Sequence, residues 1–274
     1  FSSRRRHTRS FKKMFGQNFI IDENITNRIV ELADIDKNTL AIEIGPGAGA
    51  LTTKLCQKAG NVLCYEIDTS LKPILDKMLE NYDNVNVLFK DFLKSDVQSD
   101  IESYNYDKLY VVANLPYYIT TPIIIKLIED NIMPDKIVVM VQKEVADRMN
   151  AKPNTKDYGA LSVAVQYYCD TEIVAKAPRH MFMPQPNVDS TVIGLHVREE
   201  RKYPVDNEDI FFKTVKAAFG QRRKTLLNAL GGLGFLSKDD IKEVLQMANI
   251  DEKRRGETLS IEEFATLANA VNTK

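Results

Sequence analysis

The residues best suited to chemistry form the run Asn114, Leu115, Pro116 and Tyr117, directly after the apolar segment 109–113. An exocyclic amine on a purine ring is a poor nucleophile, because its lone pair is delocalised. The amide oxygen of Asn114 and the carbonyl of Leu115 can accept its two N–H bonds, which directs the lone pair at an electrophile such as a sulfonium methyl. Pro116 would stiffen this turn, and Tyr117 would stack on the base. The run predicts methyl transfer to a base amine, with a plain strand-end turn as the simpler alternative.

A glycine-rich loop follows the apolar run 40–44 and precedes a helical pattern. Gly45, Gly47 and Gly49 let the backbone approach a ligand closely, and the start of the helix offers unpaired N–H groups. The glycine spacing differs from the dinucleotide-binding fingerprint. Glu43 precedes the loop, and its charge would repel a pyrophosphate but suit a ligand with a cationic amino-acid portion. The loop therefore favours S-adenosylmethionine as the cofactor.

Acidic residues stand at the ends of the next two predicted strands. Glu66 is placed to accept hydrogen bonds from both hydroxyls of a ribose, and Asp91 is placed to accept one from an adenine amino group. Open α/β sheets bind ligands at the carboxyl ends of their strands. These acids therefore indicate a nucleoside-bearing ligand, although the ribose is common to S-adenosylmethionine and NAD.

Strand and helix patterns alternate along the first part of the chain. The predicted strands lie at 40–44, 62–67, 85–89, 109–113 and 136–141, and the predicted helices at 23–34, 48–58, 71–79, 122–129 and 144–149. Such alternation predicts βαβ units and an α/β fold with a mostly parallel, Rossmann-like sheet.

The pattern changes after residue 160. The segments 163–168 and 191–197 predict an antiparallel pair of strands that closes the sheet edge. The loop 182–190 lies between them, and its two prolines would make it rigid. Phe182 in this loop could form the opposite wall of a base pocket; the alternative is that Phe182 packs in the core. Beyond residue 201 only helices are predicted, at 210–219, 223–230, 238–247 and 261–270, with N-caps at Ser237 and Ser260.

These patterns predict three parts of the chain. Residues 1–10 form a flexible basic segment, residues 11–200 a catalytic domain that binds the cofactor, and residues 201–274 a smaller all-helical domain. The division follows the point at which strand patterns stop.

Composition narrows the classes of function. No apolar run approaches the roughly 18 residues of a membrane span, so we expect a soluble protein. The three cysteines are too few and too scattered for a disulfide framework and are predicted as buried core residues. A reducing, cytoplasmic setting fits the cysteines best. The three histidines show no metal-ligand spacing, so we expect a mechanism without a metal.

Positive charge is clustered, although the net charge is only −1. The opening segment is rich in arginine, and further clusters are Arg222, Arg223 and Lys224, and residues 253–255. Local fields attract a polyanion whatever the net charge. The clusters predict contacts with RNA phosphates, with a solvated surface as the alternative for each one alone.

Together the motifs resemble the small-subunit ribosomal RNA adenine dimethyltransferases of the KsgA type, over residues 11–270. The glycine loop is shared by many methyltransferases, whereas the run 114–117 is typical of amino-methylating enzymes and 219–227 of this family. The resemblance is carried by the segments 15–19, 43–49, 65–68, 114–117, 140–146, 158–162, 182–190 and 219–227.

The resemblance implies a class I methyltransferase fold with a helical C-terminal domain. It implies dimethylation of two adjacent adenines at N6 in the 3′-terminal hairpin of small-subunit (16S) rRNA, on immature 30S subunits late in assembly. We expect a monomer. The cofactor contacts that it implies are Asn18, Ile20, Gly45, Glu66, Asp91 and Asn114.

Other classes of function share some of these features. The antibiotic-resistance dimethyltransferases of large-subunit rRNA share the catalytic core, and a DNA adenine N6-methyltransferase shares the motif chemistry. A nicotinamide dehydrogenase would share the sheet and Glu66 but gives no reason for the run 114–117. A non-catalytic ribosome-assembly factor would share the whole fold.

Overall fold

The computed structural model describes residues 19–20, 23–114, 120–130, 132 and 134–274. Its strands are β1 (Phe19–Ile20), β2 (Thr39–Ile44), β3 (Asn61–Tyr65), β4 (Val85–Leu88), β5 (Lys108–Asn114), β6 (Lys136–Gln142), β7 (Cys169–Ala177), β8 (Phe182–Met183) and β9 (Ser190–Val197). Its helices are α1 (Glu23–Ala33), α2 (Ala50–Lys58), α3 (Lys72–Met78), α4 (Val97–Ile101), α5 (Thr120–Glu129), α6 (Lys143–Met149), α7 (Ala160–Tyr168), α8 (Glu208–Gly220), α9 (Leu226–Ala229), α10 (Lys238–Met247) and α11 (Ile261–Asn272). None of the helices in these ranges is both long and apolar enough to cross a bilayer.

The main sheet has seven strands in the order β4-β3-β2-β5-β6-β9-β7. The strands from β4 to β6 pair in parallel, and β9 pairs antiparallel with β6. The short strands β1 and β8 form a separate antiparallel pair. The predicted α/β fold, with a mostly parallel Rossmann-like sheet and an antiparallel edge, is confirmed.

The central strands read as nearly continuous apolar runs because they are buried on both faces, as parallel strands covered by helices are. Every residue of β2 is buried, and Leu40 and Ile42 are fully enclosed. Cys56, Cys64 and Cys169 are all buried free thiols. The prediction that the cysteines are core residues is confirmed.

The strand predicted at 163–168 is wrong, because these residues belong to helix α7. The first turn of α7 is capped by Ser162, whose hydroxyl accepts a hydrogen bond from the Gly159 amide at 3.0 Å. The side chain of Gln166 then donates to the carbonyls of Met149 and Ala151 at 2.7 and 2.8 Å. A short run rich in Val and Tyr suits either state by periodicity alone. The strand next to β9 is instead β7, for which no strand was predicted from the sequence.

The chain divides into two compact units. The first comprises Phe1–Ala146 and Thr171–Val197, and the second comprises Asp147–Asp170 and Arg198–Lys274. The second unit contains α7 as well as α8 to α11. The domain boundary between residues 200 and 201 stays a prediction, since a compact group of contacts does not by itself define an independently folding domain.

The helices of the second unit begin where polar side chains cap them. Ser237 accepts a hydrogen bond from the Asp240 amide at 3.1 Å, and the Asp240 carboxylate accepts one from the Ser237 amide at 2.9 Å. Ser260 and Glu263 form the same reciprocal pair at the start of α11. Both predicted N-caps are confirmed. Helix α9 starts three residues later than the predicted 223, because the amide of Lys224 bonds the Gln221 carbonyl in a turn.

Candidate active site

The crevice for a ligand is set by strand order. The chain runs outward from β2 through β3 to β4 and then returns to β5 on the other side of β2. Ligands of open α/β sheets bind at such a switch point, outside the carboxyl ends of the strands. Ile44 at the end of β2 is in register with Ala113 of β5. The glycine loop after β2 and Asn114 at the end of β5 therefore lie at adjacent strand ends, as the motifs require.

The glycine loop adopts backbone conformations that side chains rarely allow. Gly45 and Gly47 have φ angles of 73° and 57°, in the left-handed region that favours glycine. The Gly45 amide donates to the Tyr65 carbonyl of β3 at 2.9 Å. A Cβ atom added to Gly45 would meet no atom within 4 Å. The loop therefore borders open space at the strand ends, which fits close approach of a ligand to the backbone.

Glu66 is held at the end of β3 by backbone donors. Its Oε2 accepts from the Gly47 amide at 3.1 Å, and its Oε1 accepts from the Asp68 amide at 2.9 Å. The residue is only 1% exposed, and burial raises its pKa, although the two amide bonds oppose the rise. A carboxylate has about four acceptor positions. The remaining ones can receive ribose hydroxyls, which agrees with the role predicted for Glu66.

Asp91 follows β4 and caps the short helical turn Phe92–Lys94. Its Oδ1 accepts from the Leu93 amide at 3.0 Å, and the Lys94 ammonium lies 3.8 Å from its carboxylate. The side chain is 30% exposed. Because one oxygen is used by the cap, the other can accept from an exocyclic amine, and the predicted role of Asp91 stays open to test.

Glu43 lies inside the core of the first unit. It is 2% exposed, and the thiol of Cys64 lies 3.7 Å from its carboxylate. Burial raises the pKa of Glu43 to about 7, although the Thr52 hydroxyl and the Cys64 thiol partly oppose this, and Glu66 adds to it. Near neutral pH the carboxyl is therefore about half protonated. The sequence analysis treated Glu43 as a full negative charge, whereas burial leaves it only partly charged near neutral pH. Its enclosure by Thr52 and Cys64 was not predicted.

The base-binding run is described only at its start. Asn114 ends β5, where it is half-buried and in register with Met140 of β6. Leu115, Pro116 and Tyr117 lie outside the described residues, as does Asn18. The roles assigned to these residues stay predictions.

Phe182 is buried. It begins β8, is in register with Ile20 of β1, and is 4% exposed within the hydrophobic core of the first unit. This strand pairing places the backbone of Ile20, a predicted cofactor contact, next to the backbone of Phe182, a predicted base-pocket residue. Whether Phe182 also forms a wall of the base pocket stays a prediction.

In the basic cluster Arg222, Arg223 and Lys224, one residue is bound to other described parts of the chain and two are not. Arg222 binds Glu257 at 3.1 Å and also donates to the carbonyls of Lys156 and Tyr158. Arg223 and Lys224 are exposed, and within the described chain their side chains make no hydrogen bond or ion pair. Arg222 is therefore engaged within the chain although its side chain is 52% exposed, while its two neighbours are available to a phosphate backbone. The RNA contacts predicted for all three residues stay predictions.

Among the residues that the structure describes, no three or more His, Cys, Asp or Glu side chains are grouped so that they could hold a metal ion. The expectation of a mechanism without a metal stays a prediction. The carboxylates of Glu66 and Asp91 each accept hydrogen bonds from backbone amides and keep further acceptor positions.

Curated relatives resemble the chain over nearly its full length. A protein of Clostridioides difficile is 65% identical over 265 residues, which cover 96% of this chain and 92% of that protein. A protein of Bacillus pumilus is 54% identical over 267 residues, which cover 96% and 91%. Both relatives carry the name ribosomal RNA small subunit methyltransferase A.

Two solved structures share the fold over 93% of this chain. A dimethyladenosine transferase from Plasmodium falciparum is 26% identical, with a TM-score of 0.79 over 98% of its own chain. The 23S rRNA methyltransferase ErmE is also 26% identical, with a TM-score of 0.68 over its whole chain. The names of the curated relatives therefore favour the small-subunit group over the large-subunit alternative.

The family itself follows from a match that covers most of the sequence. The family model described as ribosomal RNA adenine dimethylase matches residues 8–267. This match includes the glycine loop, the strand-end acids and the run that begins at Asn114. The resemblance that the motifs carry is thereby confirmed, and the chain belongs to the ribosomal RNA adenine dimethylases, enzymes that methylate adenine in ribosomal RNA.

Proposed function

We propose that the chain transfers methyl groups from S-adenosylmethionine to N6 of two adjacent adenines in the 3′-terminal hairpin of small-subunit rRNA. The product is N6,N6-dimethyladenosine. The observation that carries the proposal is the adjacency of Asn114 and the glycine loop at the switch point between β2 and β5. The names of the two curated relatives support the choice of the small subunit.

The residues that border the crevice fit the proposed cofactor. Glu66 keeps acceptor positions for the ribose, Asp91 keeps one for the adenine amine, and the backbone at Gly45 borders open space. Asn18 and Ile20 would add the contacts that the resemblance implies. When bound, S-adenosylmethionine supplies a methyl group on a sulfonium sulfur, which leaves as a neutral thioether.

The chain's own part in the reaction is to position the acceptor amine. Asn114 Oδ1 and the Leu115 carbonyl accept the two N6 hydrogens and favour a pyramidal nitrogen. Tyr117 and Phe182 replace the stacking that the adenine loses when it leaves the RNA helix. Holding nucleophile and methyl in line removes orientational entropy from the barrier. The methylated N6 is cationic and sheds its proton readily, so no strong base is required.

The RNA surface that we propose lies on the second unit. The amide of Leu226 donates to the Arg254 carbonyl at 2.7 Å, which brings the segment after Lys224 against the segment 252–254. Arg254 is itself bound to Glu263. The exposed cations that remain for RNA phosphates are Arg223, Lys224, Lys253 and Arg255.

Such a reaction belongs in the cytoplasm, on immature 30S subunits, with the chain acting as a monomer. The test is to incubate the full chain with labelled S-adenosylmethionine and small subunits from a strain that lacks this modification. Digestion and mass measurement should find N6,N6-dimethyladenosine in the 3′-terminal hairpin.

Matched arms separate the competing functions. An Asn114→Ala variant should leave the subunits unmodified while still binding them. Modification of 23S rRNA alone would support the antibiotic-resistance type, and modification of DNA alone would support a DNA methyltransferase. Binding without any modification by the unaltered chain would support a non-catalytic assembly factor.

A further inference from the structure

A polar contact links β3 to the helix that follows Asp91 in sequence. The hydroxyl of Tyr65, the last residue of β3, donates to the Asp100 carboxylate at 2.9 Å. Lys90 binds the same carboxylate at 2.6 Å. Asp100 lies on α4, which Val97 and Ile101 anchor in the core. The three side chains therefore form one connected cluster, the Tyr65–Asp100–Lys90 brace.

The brace holds both chain neighbours of Asp91. Lys90 precedes Asp91 and is bound through Asp100, and its ammonium lies 5.8 Å from the centre of the Tyr65 ring. Phe92 follows Asp91, and its ring packs edge-on against the Tyr65 ring at 5.1 Å and 83°. Fixing the residues on each side restricts the backbone and therefore the direction of the Asp91 carboxylate.

The brace is buried at Tyr65, whereas the side chains of Asp100 and Lys90 are 17% and 40% exposed. Tyr65 is 2% exposed and Phe92 is 4% exposed. Burial, together with the bond to Asp100, raises the pKa of the Tyr65 hydroxyl, so this group stays a proton donor. A hydrogen bond to a charged partner in such surroundings is stronger than one in water.

Tyr65 also connects the two halves of the crevice. Its carbonyl accepts the Gly45 amide of the glycine loop at 2.9 Å, and it directly precedes Glu66. The backbone of one residue thus supports the ribose side of the crevice, and its side chain supports the Asp91 side.

We propose that Tyr65, Asp100 and Lys90 are positioning residues that orient Asp91 toward the amino group of the cofactor's adenine, and so determine selectivity for adenine over a 6-oxopurine. This inference rests on the proposed function, in which Asp91 accepts a hydrogen bond from that amine. A 6-oxopurine offers an acceptor where adenine offers a donor, so the Asp91 oxygen that is not bound to the Leu93 amide would face another acceptor. The discrimination depends on where the carboxylate points, and hence on the brace.

The experiment measures binding of two ligands to the full chain by calorimetry. S-adenosylhomocysteine is compared with S-inosylhomocysteine, in which an oxygen replaces the N6 amine. We expect the unaltered chain to prefer the adenine compound by at least about 10-fold. Tyr65→Phe and Asp100→Asn should each shrink this ratio by about 3-fold or more, and Lys90→Arg should retain it because the ion pair is kept.

Two controls separate positioning from general damage. Tyr82→Phe removes a tyrosine hydroxyl that bonds Gln57 at 3.2 Å and should leave the ratio unchanged. The ratio between S-adenosylhomocysteine and its 2′-deoxyribose analogue reports on the ribose contact and should not change in the brace variants. Thermal unfolding of each variant shows that it is folded.

The outcomes distinguish this inference from the proposed function. If Asp91→Asn abolishes the adenine preference but neither Tyr65→Phe nor Asp100→Asn changes it, the brace is overturned and the role of Asp91 stands. If the brace variants bind both ligands equally more weakly, the positioning role of the brace is also overturned, because such a result indicates structural damage alone. If the unaltered chain shows no preference for S-adenosylhomocysteine, or if Asp91→Asn leaves that preference unchanged, the proposed contact between Asp91 and adenine is overturned, and the brace with it.

Discussion

The carboxylate of Glu66 accepts a hydrogen bond from the backbone amide of Gly47 at 3.1 Å, although the two residues are 19 positions apart in sequence. This contact ties the end of β3 to the loop that follows β2. A second amide, that of Asp68, holds the other carboxylate oxygen at 2.9 Å. The side chain proposed to bind ribose is therefore fixed by the loop proposed to border the rest of the cofactor, and both are ordered together.

Replacing Glu66 by Gln should weaken cofactor binding strongly. The amide side chain has only one oxygen, so a ribose hydroxyl that donates to the Glu66 carboxylate would meet an N–H group and lose its acceptor in the complex. Such a loss costs about 1–3 kcal/mol, or roughly 5- to 150-fold in Kd. Calorimetry with S-adenosylhomocysteine measures it, and Glu80→Gln on an exposed turn is the matched control. A Kd within twofold of the unaltered chain would contradict the assignment.

Glu43 should make stability fall as pH rises through the neutral range. Burial raises its folded-state pKa to about 7 from the usual 4.5. Between these values the folded state holds a proton that the unfolded state has lost, so unfolding releases one and stability decreases with pH. The stability that the protonated Glu43 contributes to the folded state is fully present below about pH 4.5 and is lost as the pH rises through about 7.

The Glu43→Gln variant isolates this term. Its stability relative to the unaltered chain should improve by up to about 3 kcal/mol between pH 5 and pH 8. Urea unfolding at several pH values measures the difference, with Glu80→Gln as the control for an exposed acid. A difference that does not vary with pH would show that the buried carboxyl keeps its ordinary pKa.

Tyr117→Ala should slow methylation far more than it weakens cofactor binding. Each base–aromatic stack contributes about 1–3 kcal/mol, so we expect the single-turnover rate to fall by roughly 5- to 150-fold. The readout is N6,N6-dimethyladenosine formed on small subunits at saturating cofactor, and Tyr117→Phe should restore most of the rate. Equal loss of rate and of cofactor affinity would count against a stacking role.

The basic cluster should respond unequally to substitution. Arg223→Ala or Lys224→Ala should weaken RNA binding and reduce the slope of log K against log salt by about 1, because one phosphate contact is lost. Arg222→Ala should lower the thermal unfolding temperature through loss of its bonds to Glu257 and two carbonyls, with a smaller change in slope. Filter binding at several salt concentrations compares the three, and a slope that is unchanged in Arg223→Ala would remove that residue from the interface.

The sequence by itself determined the elements whose patterns are local. The predicted helix 238–247 coincides with α10, and the caps at Ser237 and Ser260 are present, because a cap and its helix lie within a few residues of each other. The buried parallel strands were predictable because they must be apolar on both faces. The turn conformation of the glycine loop was predictable for a local reason, because glycine favours positive φ angles.

Tertiary structure decided what depends on distant neighbours. Residues 163–168 are helical because Gln166 and Ser162 bond to carbonyls near the end of α6, which no local pattern contains. Arg222 is tied to Glu257, 35 positions away, whereas the adjacent Arg223 is exposed, a difference that residue type cannot reveal. Glu43 is enclosed and partly protonated because β3 and α2 pack around it. The sequence specifies which groups can do chemistry, whereas burial and partners brought by the fold set their charge and direction.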